Sequence, residues 1–106
     1  MVVSILMRKT RIADRARWNS ALQAVMPKIR EVVEGQPGFV SMQYLWNVYE
    51  EGVTAQITTW KSEEDCRRYV REGSAATVAT FEEAAVPTAL HPNGAWVRNT
   101  YEVVEL

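Results

Sequence analysis

Residues 39–65 read FVSMQYLWNVYEEGVTAQITTWKSEED, and the fold is decided in this stretch. Its opening, Phe39 to Tyr49, is rich in aromatic and β-branched residues and predicts a long strand over 39–49. Glu50-Glu51-Gly52 is a turn with the glycine such turns favour. Residues 53–61 read as the returning strand of a hairpin. Ser62-Glu63-Glu64-Asp65 then forms a capping box, a serine with an acid three residues on, which opens a helix. That helix places Cys66, Tyr69 and Val70 on one face and arginines on the other, and Gly73 ends it.

Upstream, residues 2–10 are β-branched and apolar and predict a first strand. Asp14 suits the cap of a helix. Trp18, Leu22, Val25, Met26, Ile29, Val32 and Val33 then recur at helical spacing. Pro27 interrupts the pattern and predicts a kink near Ala24–Met26 or two shorter helices. Gly35 suits a left-handed closing residue, and Pro37 cannot continue the helix. Downstream, Ser74 suits the cap of a helical piece over 75–86, with Val78, Phe81, Ala85 and Val86 inward. Pro87 and His91-Pro92-Asn93-Gly94 make a loop, and residues 95–105 form the last strand.

The order is β-α-β-β-α-β, the ferredoxin-like α+β arrangement, with helices on one face of an antiparallel sheet. A chain of 106 residues fits one domain, 1–106. At 47% hydrophobic and 24% charged it has a globular balance rather than a disordered one. The net charge of -1 gives no reason to expect nucleic acid or an anionic membrane as partner. Arg8, Lys9, Arg11, Arg15 and Arg17 are a local positive excess, read as a solvated helix entrance rather than an anion patch. The single cysteine, Cys66, excludes an internal disulfide. A cytoplasmic location is the expectation, since no apolar run approaches the about 20 residues of a membrane span and no signal-peptide pattern opens the chain.

A sheet covered on one face should alternate apolar and polar residues. Here both faces carry bulky apolar groups. Val40, Met42, Tyr44, Trp46 and Val48 alternate with Phe39, Leu45 and Tyr49, and Val3, Ile5 and Met7 alternate with Val2 and Leu6. In the last strand Trp96 and Val104 oppose Val97, Tyr101 and Val103. The helices suffice for one face only, so a second copy packed through a two-fold axis, a homodimer, is expected to cover the other.

Pro37-Gly38-Phe39 at the opening of the second strand, and Trp60-Lys61-Ser62-Glu63-Glu64 between the third strand and its helix, are similar to motifs of the antibiotic biosynthesis monooxygenase domain family. The resemblance spans nearly the whole chain. It implies a dimeric α/β barrel with two sheets face to face. It also implies one of three fates: oxidation of phenols to quinones without metal or flavin, degradation of haem, or no known activity. In the haem-degrading branch a strand-one asparagine, a helix-two tryptophan and a histidine are needed. Their places here are held by Met7, Tyr69 and Ala79. Alanine cannot ligate iron, so haem degradation is not expected.

The resemblance therefore leads to a cofactor-independent monooxygenase acting on a small phenolic or quinol-like aromatic. The alternative is a non-catalytic or stress-associated barrel that binds a small ligand. A third reading, an isomerase or cyclase that moves protons with His91, ranks below both. Such oxygenase chemistry needs polar groups among aromatics in a dry pocket. Tyr69, His91 and Asn47 are the catalytic candidates, and Trp60, Trp18, Trp96, Arg98 and Asn99 the substrate-binding ones. Each has a plainer reading: Trp60, Trp18, Trp96 and Tyr69 as core, Asn47 and Asn99 as exposed strand residues, His91 as a surface turn, and Arg98 as an ion-pair partner. With one histidine and one cysteine a metal is not expected, and the resemblance implies no other cofactor.

Overall fold

The computed structural model describes residues 1–10, 14–72, 88–89 and 97–106. They form β1 (Val2–Thr10), α1 (Arg15–Glu34), β2 (Phe39–Trp46), β3 (Val53–Trp60), α2 (Glu63–Glu72), a two-residue β4 (Thr88–Ala89) and β5 (Val97–Glu102). The strands make one antiparallel sheet in the order β2-β3-β1, with β4 and β5 both pairing with β1. This is the ferredoxin-like arrangement expected. The short β4 adds to the expected elements, and β5 ends at Glu102 rather than 105. The predicted helix over 75–86, with its cap Ser74, and the His91 loop lie outside the described residues.

Local chemistry explains most boundaries. Asp14 caps α1, its Oδ1 accepting from the amides of Ala16 and Arg17 at 2.8 and 3.2 Å. The helix runs unbroken through Pro27, so the alternative of two shorter helices does not hold. Pro27 and Gln23, whose carbonyl loses its partner, are both exposed, so solvent can take up the missing bond. Gly35 is not left-handed, with φ at -75°. The glycines with positive φ are Gly38 and Gly52, both at 78°. The second strand stops at Trp46, short of Tyr49, because the Asn47 side chain accepts from the amides of Tyr49 and Glu50 and bends the chain.

The two motifs behind the family resemblance meet in space. The Lys61 amide donates to the Gly38 carbonyl at 2.9 Å. Phe39 packs edge-on against Trp60, with ring centroids 5.9 Å apart. A Cβ at Gly38 would come within 2.1 Å of Asp65 Oδ2. The Asp65 amide in turn donates to Ser62 Oγ, whose hydroxyl donates to the Asp65 carboxylate at 2.8 Å. The corner is thus a structural device that seats α2 on the sheet.

A bulge between Phe39 and Ser41 changes the expected faces of β2. Phe39 joins Met42, Tyr44 and Trp46 against the helices, while Val40 is exposed. The core gathers Trp18, Leu22, Val25, Ile29 and Val33 of α1, Cys66 and Tyr69 of α2, and Val2 and Trp60 of the sheet. Val3, Ile5, Met7, Ala55 and Ile57 take no part in this core. They belong to the opposite face, against which no described helix packs. Among the described residues no helix is long and apolar enough to cross a membrane.

Candidate functional site

The strand register builds the site in rows across the helix-covered face. One row runs Tyr44, Gln56, Leu6, Arg98, and the next runs Met42, Thr58, Ser4, Thr100. A third runs Trp46, Thr54, Arg8. The centre of this face is polar even though α1 and α2 lie over it. Ser4, Arg8, Thr54, Gln56 and Thr58 are all at most 3% exposed. Burying such groups costs free energy unless each has hydrogen-bond partners.

Two clusters form within the rows. Gln56 Nε2 donates to the Tyr44 hydroxyl at 2.9 Å, and the Arg8 guanidinium lies 5.9 Å from the Tyr44 ring centroid. The second cluster belongs to α2 and β5. Arg98 Nη1 donates to Ser4 Oγ at 2.6 Å, and its guanidinium lies 5.9 Å from the Tyr69 ring centroid. Tyr69 stacks on Trp60 at 4.8 Å, and the Trp60 indole donates to Thr58 Oγ1 at 2.9 Å. Trp60 and Tyr69 are completely buried.

Electrostatics follow from the burial. Loss of water pushes both guanidiniums below the ordinary arginine value, an effect the neighbouring tyrosines oppose. Burial pushes the Tyr44 phenol up, partly offset by Arg8, so it holds its proton at neutral pH. The Cys66 thiol is also pushed up by burial, which makes it an inert packing group rather than a nucleophile. Among the described residues no group of three His, Cys, Asp or Glu side chains is placed to hold a metal ion.

Of the residues read from the sequence, Tyr69, Trp60 and Arg98 come together here. Trp18 shares the core with them, but its ring contact lies toward the other end of β3, 5.3 Å from the ring of Trp46, which pairs with Thr54. Asn47 does not join them, because it is exposed and its side-chain oxygen is engaged in the hairpin turn. Asn99 is exposed and pairs with Ile5 on the opposite face, as strand alternation from Arg98 requires. Met7, read as the place of the strand-one asparagine, also lies on that face, while Leu6 and Arg8 point inward. His91, Trp96 and Ala79 lie outside the described residues. Sequence reasoning misses Arg8, Tyr44 and Gln56. Their signal is a parity shared with apolar neighbours: Arg8 with Val2 and Leu6, Gln56 with Trp60, and Tyr44 with Trp46.

A groove of about 620 Å³ opens between α1 and β2. Trp18, Trp46 and Tyr44 are among its lining residues, and Tyr44 belongs to the first cluster.

No family pattern and no curated protein matches the sequence. Solved structures do match the fold. SnoaB of Streptomyces nogalater, described as a cofactor-independent oxygenase, superposes with a TM-score of 0.62 at 15% identity, over 99% of this chain and 95% of that one. A point mutant of MhuD, which holds two manganese protoporphyrin IX per active site, gives 0.70 at 23% identity, over 99% and 96%. A Caulobacter crescentus protein named as a candidate antibiotic biosynthesis monooxygenase gives 0.65 at 19%, over 98% and 90%. At these identities the likeness is one of architecture: the chain has the ferredoxin-like α+β fold shared by structures named as antibiotic biosynthesis monooxygenases.

Proposed function

We propose that the chain is a cofactor-independent monooxygenase acting on a small phenolic or quinol-like aromatic, and that it works as a homodimer. The observation that carries this reading is the polar strip buried under the helices. The guanidiniums of Arg8 and Arg98, the Gln56 carboxamide and the Tyr44 phenol share the covered face, with Tyr69 of α2 stacked on Trp60 above it; Arg8, Gln56 and Tyr69 are buried, Tyr44 and Arg98 half-buried. A core built for stability alone gains little from such groups. The name of the SnoaB structure lends support, since that protein is an oxygenase of this kind.

In this reading the substrate supplies the electrons. Arg98 and Arg8 favour the phenolate, and Tyr69 and Tyr44 donate hydrogen bonds to the substrate's oxygens. The phenolate passes one electron to dioxygen, and the radical pair recombines to a carbon-bound peroxide. Loss of the C–H proton and of hydroxide, together one water, leaves a carbonyl. One oxygen atom enters the product and the other leaves as water. Asn47 and Asn99 have no part in it.

Oxygen uptake with anthrone or hydroquinone in chelator-treated buffer tests the reading. Uptake above the protein-free control is expected, with one dioxygen consumed and one water released per molecule of quinone formed. Arg98→Gln should lower kcat/KM about 100-fold, the scale of losing an oriented charge donor. No uptake with either substrate would overturn it.

The homodimer reading rests on the face opposite the strip. Ile5 and Ile57 pair directly at its centre, with Val3, Met7 and Ala55 around them. Leu45 and Tyr101 on the flanking strands are 44% and 54% exposed. A second copy is the simplest cover for this surface.

A further inference from the structure

We infer that the second copy meets the open face about a two-fold axis running along the strands between β1 and β3, and that Gln43 of each copy hydrogen-bonds Asn99 of the other. This pairing rests on the homodimer reading and specifies it. The row at the middle of the open face reads Gln43, Ile57, Ile5, Asn99 from β2 to β5. Two isoleucines stand between two carboxamides, and both carboxamides are exposed in the single chain. Covering the row with a purely apolar surface would strand them without hydrogen bonds. A carboxamide both donates and accepts, so another carboxamide is a natural match for it.

An axis along the strands exchanges β1 with β3 and β2 with β5. The middle row then meets its own copy end for end. Gln43 faces Asn99 of the second copy, twice per dimer, and Ile57 faces Ile5. The neighbouring rows match as well. On one side lie Ser41, Thr59, Val3 and Tyr101. There the exposed Ser41 comes opposite the exposed Tyr101, hydroxyl to hydroxyl, and Thr59 comes opposite Val3. On the other side Met7 pairs with Ala55. The small Ala55 leaves a hollow of about 220 Å³ bordered by Met7, Leu45 and Val53. The same axis carries Met7 of the second copy over Ala55, and a thioether side chain adapts well to such a gap.

Other axes fit less well. Moving this one by a strand to either side sets a carboxamide against an isoleucine. An axis across the strands at the same row sets Gln43 against Gln43 and Asn99 against Asn99, but it also sets Leu45 against Ser41 and turns the hollow over Ala55 toward Thr59. Packed sheets cross at about 30°. Gln43 and Asn99 stand only a strand and a half from the axis, so the offset there stays within reach of a glutamine side chain.

A charge swap read by sedimentation velocity of the full chain tests the pairing. Gln43→Glu and Asn99→Lys, each alone, should raise the Kd of the dimer about tenfold, since each buries a charge against an uncharged partner. The double variant should return to within about threefold of the native Kd, because each glutamate then meets a lysine of the other copy. Rescue inside one chain is not open to the pair: β3 and β1 lie between β2 and β5, which sets the two positions about 14 Å apart across both isoleucines. Both positions are exposed in the single chain, so folding is not at stake. A native dimer whose double variant is no tighter than the single ones overturns the inference and leaves the homodimer standing. A double variant weaker than either, the result an axis across the strands would give, does the same. A native chain that stays monomeric at high concentration overturns the pairing and the homodimer together.

Discussion

Both faces of the sheet carry bulky apolar side chains, but the face under the helices also buries a set of polar ones. The face under the helices carries Ser4, Arg8, Thr54, Gln56 and Thr58 at its centre. The face without helices carries Val3, Ile5, Met7, Ala55 and Ile57. In a domain selected only for stability the five polar positions would be apolar as well, since burying apolar area contributes about 25 cal/mol per Å². On the proposed reading the two faces have separate tasks. The covered face places polar groups where water is scarce and their interactions are strong. The open face would then keep apolar area for a second copy.

The largest effect is expected on the open face. Ile57→Lys places a charge at its centre, opposite Ile5. If two copies pack there, the unpaired charge should weaken the dimer by about 3 kcal/mol or more, a hundredfold or greater in Kd. Sedimentation velocity reads this directly. A native chain that is monomeric at high concentration, or a variant that dimerises normally, breaks the comparison.

On the covered face the effects on folding and on turnover should separate. Gln56→Leu removes the hydrogen bond to Tyr44 but keeps apolar volume in a site 1% exposed. Its stability should change by less than about 1.5 kcal/mol in urea unfolding. Its kcat with anthrone should fall more than its KM rises, because the carboxamide positions a phenol and does not hold the bulk of the substrate. A large loss of stability would make the strip a structural network instead.

The smallest effect is electrostatic. The folded Tyr44 phenol keeps its proton to higher pH than the unfolded one, whose ordinary value is 10.0, chiefly because burial disfavours the phenolate. Above that value the folded chain binds more protons than the unfolded chain, so stability present below pH 10 is lost as pH rises further. Tyr44→Phe removes this component. Unfolding midpoints measured on either side of that pH should fall less steeply in the variant, and an unchanged slope would show that another group dominates.

Much of the fold was legible because its signals are local. Asp14 and Ser62 cap helices with their own side chains, and Gly52 turns a hairpin with its own φ. The bulge at Val40 was not legible, since it depends on how β2 meets β3, and it moved Phe39 to the helix side. The site was legible in part. Tyr69, Trp60 and Arg98 stood out by residue type, but Asn47 and Asn99 stood out equally and lie elsewhere. Arg8 and Gln56 looked like outward-facing polar residues, because polar residues usually are.

The sequence by itself determined the order of the elements, the caps and turns, and the presence of apolar side chains on both faces. Only the tertiary structure decided which face the helices cover. Strand alternation has a period of two and treats the faces alike. The choice lies with the β1-α1-β2 crossover, whose two strands run parallel with β3 between them, and whose right-handed path sends α1 to one side. That side received Arg8, Gln56 and Tyr44, and with them the buried polar strip.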